Sequence, residues 1–291
     1  MRRACHRLYS TALHRAVPPP CSGTMSSPAR TDLGRALCII TGSSRGFGRA
    51  IAREMSRLVK PGSALVLTAR SVDDLRSLQA ELAESEAGRA GVVVVCVVAD
   101  VSQKEGLESI VRASQDAFSE DMDHVLLVNN AASLGDVSRY AKSFSDMAEV
   151  DSYLSLNVSS SLCLTASVLQ TFPQRPGQRR TVINITSLCA LQPFRSWVLY
   201  CTSKAAREMM FRVLAEEEPD LRVLSYSPGP LDTAMQTLAR SRTADPSIRK
   251  SFSDMFAQGQ LLTCEASCAK LMKLLLEDNY TTGAHIDIYD V

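Results

Sequence analysis

The sequence predicts an α/β fold, in which one doubly wound parallel sheet of about seven strands carries helices on both faces. Two observations support this prediction. Strand-like and helix-like segments alternate from Gly34 onward, and the strand-like segments are apolar throughout rather than at every second residue. Alternation places helices over both faces of a parallel sheet, and strands covered on both faces are continuously apolar. Seven strands in 291 residues fit one domain.

Helical periodicity and turn residues separate the apolar segments, so each element can be placed in order. The predicted strands are 36–41, 64–68, 92–98, 124–128, 181–186, 221–226 and 284–288. The predicted helices are 45–60, a helix that Ser71 caps, 106–118, 150–172, 197–217 and 266–276. The longest apolar run, 92–99, consists mostly of valine, and we interpret it as a buried strand.

The composition excludes several classes of protein. Lys plus Arg is 32 and Asp plus Glu is 31, so the basic excess that is usual in nucleic-acid-binding proteins is missing. No uncharged apolar run approaches the ~20 residues that a membrane span needs. The nine cysteines include no CxxC pair and the four histidines no HExxH motif. We therefore expect reduced, buried thiols in a cytoplasmic protein, and no metal site.

Residues 1–31 differ from the rest of the chain, since they contain five arginines and no acidic residue. Three interpretations remain open: a mitochondrial targeting peptide, a disordered tail, and an upstream extension of a protein that starts at Met25. The expected domain boundary is the same in each case, because residues 34–291 carry all of the predicted strands and helices.

A glycine-rich turn with the spacing G-x-x-x-G-x-G joins the first strand to the first helix. Glycines in such a turn let the backbone approach a pyrophosphate, whose charge then faces the free N–H groups at the start of the helix. We therefore expect this turn to bind a dinucleotide cofactor. The expected contacts are Gly42, Ser43, Ser44, Arg45, Gly46, Phe47 and Gly48.

The residue after the second strand indicates which dinucleotide binds. An NAD site usually has an acidic residue there, which holds the ribose 2′-hydroxyl. Arg70 stands there instead, followed by Ser71, and Arg45 in the turn is a second cation. Cations suit the additional 2′-phosphate of NADP(H). Asp100, after the third strand, is interpreted either as a contact to the adenine or as the N-cap of the next helix.

Tyr200 and Lys204 are four residues apart in a predicted helix and therefore lie on one face of it. An ammonium beside a phenol favours the phenolate and lowers the pKa of the phenol. We expect this pair to give a proton to a carbonyl oxygen as hydride reaches the carbon. Ser187, at the end of the fifth strand, is expected to hold the same oxygen, and Asn157 to position a water near Lys204.

These motifs together resemble the short-chain dehydrogenase/reductase family from about residue 34 to the C-terminus. The matching motifs are T-G-x-x-x-G-x-G at 41–48, N-N-A at 129–131, Asn157, Ser187, Tyr200 with Lys204, and P-G at 228–229. Ala132 departs from the family pattern, which usually has glycine after N-N-A.

The resemblance implies a Rossmann-type fold and one NADP-binding reductase domain over residues 34–291. It implies a catalytic tetrad of Ser187, Tyr200, Lys204 and Asn157, in which the lysine also binds the nicotinamide ribose. The remaining cofactor contacts that it implies are Val101, Asn129, Leu231, Asp232 and Thr233.

Four longer blocks, 132–138, 187–194, 227–233 and 283–290, are similar to the members of this family that reduce pterins. The similarity implies an NADPH-dependent homodimer that reduces side-chain ketones of pterins in the last steps of tetrahydrobiopterin synthesis. It also implies that Asp287 holds the amino-pyrimidine edge, since a carboxylate accepts two parallel N–H bonds. The implied substrate site comprises Ser187, Leu188, Tyr200, Gly229 and Asp287.

Two other functions are weighed against pterin reduction. A broad carbonyl reductase for diketones or xenobiotic ketones would share the chemistry and differ in its need for Asp287. A non-catalytic NADP-sensing protein on the same fold would usually lack the tyrosine or the lysine, and both are present here. Residues 234–260 are mixed in charge, and we interpret them as the segment that covers the substrate, with a mobile lid as a hypothesis.

Overall fold

The computed structural model describes residues 30–291, which contain one seven-stranded sheet. Its strands are β1 (Ala36–Thr41), β2 (Ala64–Ala69), β3 (Val93–Val98), β4 (His124–Asn129), β5 (Arg179–Ile185), β6 (Leu221–Ser227) and β7 (Ala284–Asp287). Their order is β3-β2-β1-β4-β5-β6-β7, and every neighbouring pair is parallel. The predicted doubly wound parallel sheet is confirmed.

Helices connect these strands. They are α1 (Gly46–Leu58), α2 (Val72–Ala83), α3 (Glu86–Arg89), α4 (Lys104–Ala117), α5 (Met147–Leu154), α6 (Ser160–Thr171), α7 (Val198–Glu217), α8 (Ala234–Arg242), α9 (Pro246–Ala257) and α10 (Cys264–Glu277). The predicted helices that correspond to α1, α4, α7 and α10 are present, with ends moved by at most two residues. Ser71 is the N-cap of α2, as predicted, and its side chain accepts a hydrogen bond from the Asp74 N–H.

Both faces of the sheet are buried, because alternate residues of each strand point to opposite sides. Ala36, Cys38 and Ile40 of β1 belong to one core cluster, which α1, α2 and α10 cover. Leu37 and Ile39 belong to the other, which α4, α6 and α7 cover. Helices on both faces explain why the inner strands are apolar at every position.

The interpretation of 92–99 as a buried strand is wrong. Strand β3 is the edge of the sheet, and Val93 and Val98 are 55% and 52% exposed. Valine favours extended structure, so the run predicts a strand. This preference does not distinguish an edge strand from a central one.

The predicted helix 150–172 differs from the structure in its start and its continuity. It begins earlier, at Met147, where the Asp146 side chain accepts a hydrogen bond from the Ala148 N–H. A π-helical turn, Ser155–Ser159, then interrupts it between α5 and α6. One extra residue in such a turn re-aims the side chains that follow, and π-turns are frequent at functional sites.

The segment 234–260 is helical, which its mixed charge did not indicate. It forms α8 and α9, and the Asp245 side chain caps α9 by accepting from the N–H groups of Ser247 and Ile248. Aspartate at the N-cap followed by proline at the first helical position is a helix-start signal that the sequence contains at Asp245-Pro246.

The interpretations of residues 1–31 fall almost entirely outside the described residues, and they stay predictions. Arg30 is described, and its backbone N–H donates to the Leu276 carbonyl while its guanidinium pairs with Asp278. Among residues 30–291, no helix combines the length and the apolar character that a membrane span needs.

Met55 and Met147 provide a matched test of the core. Met55 in α1 is fully buried, whereas Met147 at the start of α5 is 74% exposed. We expect Met55→Ala to lower the free energy of unfolding by about 2–5 kcal/mol, because the lost transfer energy and the cavity add. Met147→Ala should change it by less than about 0.5 kcal/mol. Chemical denaturation followed by circular dichroism measures both values, and equal losses would contradict the assigned burial.

Candidate active site

The glycine-rich turn follows β1 and folds tightly against the start of α1. Gly42 has φ +66°, a backbone conformation that side chains rarely tolerate. A Cβ atom on Gly48 would lie 2.2 Å from the Gly42 carbonyl oxygen. Glycine is therefore required at both positions, and the turn is shaped as the sequence motif predicts.

Asn130 and Thr41 hold this turn, and sequence reasoning did not single out either side chain. The Asn130 Nδ2 donates to the carbonyl oxygens of Thr41 and Gly42 at 2.8 and 3.1 Å. The Thr41 Oγ1 accepts from the N–H groups of Asn130 and Ala131, both at 3.0 Å. The run N-N-A thus fixes the cradle through its second asparagine. The side chain of Asn129 donates instead to Thr165 Oγ1 on α6.

The start of α1 suits a bound pyrophosphate. Its N-cap residue, Arg45, is extended and, in the described chain, makes no side-chain hydrogen bond to the first turn, which also contains no acidic residue. The N–H groups there point at a position where an anion is favoured. A Cβ on Gly46 would lie 3.5 Å from Thr233 Cγ2, so Thr233 closes the opposite side of the cradle.

The residues that follow β2 and β3 meet at the side of this cradle. The Arg70 guanidinium is 4.0 Å from the Asp100 carboxylate, and the Arg70 side chain is 70% exposed. Hydrogen bonds from the Ser102 N–H and hydroxyl, with Arg70 nearby, hold the pKa of Asp100 below its usual value. Of the two interpretations of Asp100, the N-cap is wrong, because Gln103 occupies the N-cap position of α4.

All of the predicted cofactor contacts lie at the carboxyl edge of the sheet, where parallel α/β folds bind ligands. They follow different strands and therefore converge from distant parts of the sequence. They are Gly42, Ser43, Ser44, Arg45, Gly46, Phe47 and Gly48 after β1, Arg70 and Ser71 after β2, Asp100 and Val101 after β3, Asn129 at the end of β4, Lys204 on α7, and Leu231, Asp232 and Thr233 after β6.

Tyr200, Lys204 and Ser187 come together at the end of β5. Tyr200 and Lys204 lie on α7, and their side chains are buried. The Lys204 ammonium nitrogen donates to the Ile185 carbonyl oxygen at 2.7 Å and lies 5.5 Å from the centre of the Tyr200 ring. Tyr200 and Ser187 lie beside each other, and Ser187 Oγ accepts from the Cys189 N–H at 3.2 Å.

The electrostatics of this pair differ from the sequence expectation. Burial raises the pKa of the Tyr200 phenol well above its usual value. Burial, followed by the charge of Arg207, lowers the pKa of Lys204. The net shift in the pKa of Tyr200 is therefore opposite to the expected lowering, because removal from water outweighs the nearby charge of Arg207.

Asn157 lies in the π-turn and is 1% exposed. Its Oδ1 accepts from the Ser133 N–H at 2.8 Å, and its Nδ2 donates to the Tyr153 carbonyl at 3.0 Å. The Tyr153 hydroxyl donates to the Ser133 carbonyl at 2.9 Å. Asn157 thus holds the N–H group of Ser133 beside the site, and Tyr153 holds its carbonyl oxygen. The water-positioning role of Asn157 stays a prediction.

Arg207 is a buried component of the site that the sequence reasoning missed. It lies three residues after Lys204 on α7 and is 0% exposed. Its guanidinium donates to Asn184 Oδ1 at 2.9 Å and to the carbonyl oxygens of Asn129 and Ala131 at 2.5 and 3.4 Å. The helical spacing from Tyr200 and Lys204 was the available signal, since all three side chains share one face.

The predicted substrate residues lie at the ends of β5, β6 and β7. Asp287 pairs in register with Ser227, and its Oδ2 accepts from the Ser227 hydroxyl at 2.6 Å. Its Oδ1 accepts from the Tyr289 N–H at 3.1 Å, and burial raises its pKa. A Cβ on Gly229 would lie 2.9 Å from Ile288 Cγ2, and Leu188 is buried next to Ser187.

The seven described cysteines are free thiols, and two of them lie beside the tetrad. Cys189 and Cys201 are close neighbours, and their interaction lowers the pKa of Cys201 to about 7, whereas burial raises the pKa of Cys189. Cys163 on α6 is exposed, so the expectation of buried thiols is wrong at that position.

Comparisons with known proteins agree with this geometry. A family model described as short chain dehydrogenase matches residues 36–244. Sepiapterin reductase of Bos taurus is 52% identical over 259 residues, which are 89% of this chain and 96% of that protein. Benzil reductase ((S)-benzoin forming) of Bacillus subtilis (strain 168) is 29% identical over 210 residues, which are 70% of this chain and 78% of that protein.

Solved structures show the same fold. L-sorbose reductase of Gluconobacter frateurii, complexed with NADPH and L-sorbose, superposes with a TM-score of 0.72 at 26% identity. The match covers 89% of this chain and 96% of that one. Since the family model matches most of the sequence and the fold is shared, the chain belongs to the short-chain dehydrogenase family.

Proposed function

We propose that this protein is an NADPH-dependent reductase of pterin side-chain ketones and acts in tetrahydrobiopterin synthesis. The observation that carries the proposal is a carboxylate, Asp287, at the same edge of the sheet as Ser187 and Tyr200. A pterin presents an amino-pyrimidine edge at one end and a side-chain ketone at the other. The site offers a matching group for each end. The 52% identity to sepiapterin reductase of Bos taurus supports the same substrate class.

The cradle after β1 fits NADP(H). Gly42 and Gly48 allow the turn to pack tightly against Asn130, and the start of α1 presents N–H groups to the pyrophosphate. Arg70, with Arg45, is placed to pair with the 2′-phosphate, and Asp100 with the adenine. NADPH supplies a hydride for the carbonyl carbon when it is bound.

The side chains of the site supply the proton for the reaction and orient the carbonyl oxygen that receives it. Tyr200 donates its phenolic proton to the carbonyl oxygen. Ser187 donates a hydrogen bond that orients the same oxygen. Lys204, which is anchored on the Ile185 carbonyl, binds the ribose and holds its ammonium beside the Tyr200 ring. Asn157 supports the relay of protons from solvent.

The pterin is held by Asp287 and enclosed by Leu188 and Gly229. Each carboxylate oxygen of Asp287 accepts one hydrogen bond within the protein and has a second lone pair for a pterin N–H group. The raised pKa of this carboxyl makes its neutral form easier to reach, so pterin binding should weaken as the pH falls toward that pKa.

We also propose a homodimer in the cytoplasm. Leu162 on α6 and Met209 and Val213 on α7 are exposed apolar side chains on helices of the same layer. A second copy of this surface would bury them. Free thiols in the described chain suit a reducing compartment.

A broad diketone reductase is the second candidate. The 29% identity to benzil reductase of Bacillus subtilis (strain 168) favours it, because benzil is a vicinal diketone. Such a substrate needs the same Ser187 and Tyr200 and has no amino-pyrimidine edge for Asp287. The two candidates therefore differ in how much they depend on one carboxylate.

The proton donor is tested by Tyr200→Phe. We expect the rate of ketone reduction to fall by about 10²–10⁴-fold, which is the contribution of a positioned acid. NADPH binding, followed by nucleotide fluorescence, should stay nearly the same. A variant that retains turnover would refute the assignment.

The choice of nucleotide is tested by Arg70→Gln. We expect KM for NADPH to rise by about 10–100-fold, because a charge-assisted phosphate contact contributes roughly 1.5–3 kcal/mol. KM for NADH should change little. Arg57→Gln, at the far end of α1, removes an equally exposed arginine as a control. Parallel effects on both nucleotides in Arg70→Gln would argue against the 2′-phosphate contact.

The substrate class is tested by Asp287→Ala, with sepiapterin and a simple vicinal diketone compared side by side. We expect kcat/KM for sepiapterin to fall by about 10–100-fold, as two charge-assisted bonds are lost. The diketone reaction should change much less. Similar losses for both substrates, or no sepiapterin reduction by the wild type, would favour the broad diketone reductase.

A further inference from the structure

Glu208 is a buried carboxylate that the proposed chemistry does not use. It lies on α7, four residues after Lys204 and eight after Tyr200, and its side chain is 7% exposed. A buried carboxylate is costly unless hydrogen-bonded donors surround it. Its Oε2 accepts from the Thr186 hydroxyl at 3.1 Å and from His285 Nδ1 at 3.0 Å. A carboxylate oxygen is an acceptor, so we assign the donor role in this contact to Nδ1 of His285.

The first of these bonds holds Thr186, the residue next to the catalytic serine. Thr186 directly precedes Ser187 where β5 ends. Its backbone N–H donates to the Tyr226 carbonyl at 2.9 Å, which continues the pairing with β6. The bond from its hydroxyl to Glu208 therefore fixes the end of β5 against α7, and Ser187 follows from that fixed point.

The second bond reaches the proposed pterin anchor. His285 and Asp287 are two residues apart on β7, and alternate residues of a strand lie on the same face. Strand β7 has four residues and pairs with β6 alone among the described strands. A short edge strand that pairs on one side has few backbone hydrogen bonds to hold it. The hydrogen bond between Glu208 on α7 and His285 holds the face of β7 that carries Asp287.

We infer that Glu208 and His285 are positioning residues for the pterin, through which α7 holds Asp287 at a fixed distance from Ser187. The inference rests on the proposed function. A pterin is a rigid ring system, so the distance between the Asp287 carboxylate and the Ser187 hydroxyl has to match its length. An error of about 1 Å between them would cost much of the binding that brings the ketone to Tyr200.

A purely structural ion pair would behave differently. It would affect the stability of the fold, and any loss of activity would be the same for every ketone. A positioning pair instead raises KM for the substrate that spans both ends, and a donor at the place of Nδ1 restores it. These readouts separate the two roles.

The test compares His285→Leu with His285→Asn. Leucine fills the space and donates no hydrogen bond, whereas the asparagine amide nitrogen lies close to the place of Nδ1 and donates to Glu208. We expect KM for sepiapterin to rise by about tenfold in His285→Leu and to return to within about twofold of the wild type in His285→Asn, the range seen when supporting contacts are removed. Turnover of a simple vicinal diketone should change far less in both variants.

Thr186→Val is the complementary variant, because it removes only the bond on the serine side. We expect it to lower kcat for sepiapterin and for the diketone alike, with a smaller effect on KM for sepiapterin. Melting temperatures show that each variant is folded. If His285→Leu is not, Glu208→Gln makes the same test, since the amide keeps the shape of the carboxylate and loses its charge.

The outcomes separate the two proposals. Wild-type protein that reduces sepiapterin, together with an unchanged KM in His285→Leu, would overturn the positioning role alone. Equal losses with both substrates, or no recovery in His285→Asn, would also overturn it. Wild-type protein that reduces the diketone and not sepiapterin would overturn the proposed function, and the positioning role with it.

Discussion

The parallel direction of all seven strands is the constraint on which this site depends. The groups proposed for cofactor, ketone and pterin are far apart in the sequence, and each follows the carboxyl end of a strand. Parallel pairing brings those ends to one edge, and the reversal of strand order between β1 and β4 opens the crevice where the glycine-rich turn lies. An antiparallel β7 would have carried Asp287 to the opposite edge of the sheet.

Helix α7 converts this common edge into a rigid site. Two neighbouring residues of α7 face different partners. Arg207 donates to a side-chain amide and two carbonyl oxygens at β4 and β5, and Glu208 accepts from residues of β5 and β7. Buried charges are tolerated only where hydrogen bonds replace water. The same exclusion of water raises the pKa of the Tyr200 phenol, so the need for internal hydrogen bonds and this pKa shift have one physical origin.

Much of the fold and the motif residues could be predicted, because they depend on local pattern. Apolar runs gave the strands, and glycine spacing with strand and helix context gave the cradle. Most of the parts that were missed depend on tertiary contacts, whereas the start of α9 has a local signal at Asp245-Pro246. The edge position of β3 follows from strand order, which no segment encodes by itself. The roles of Asn130 and Arg207 follow from acceptors that are remote in sequence. The rise in the pKa of Tyr200, which is opposite to the expected shift, follows from burial.

The two edge strands of the sheet, β7 and β3, differ in how accessible they are to another protein chain. Strand β7 is short, and Lys270 on α10 donates to the Ile288 and Val291 carbonyl oxygens just beyond it. Strand β3 is six residues of valine and cysteine without charge or proline, and Val93 and Val98 are open to solvent. Among the described strands, β2 alone pairs with β3, and such an edge is a template for a further extended strand. Self-association of this protein under stress should therefore begin at β3, the edge that is remote from the catalytic chemistry.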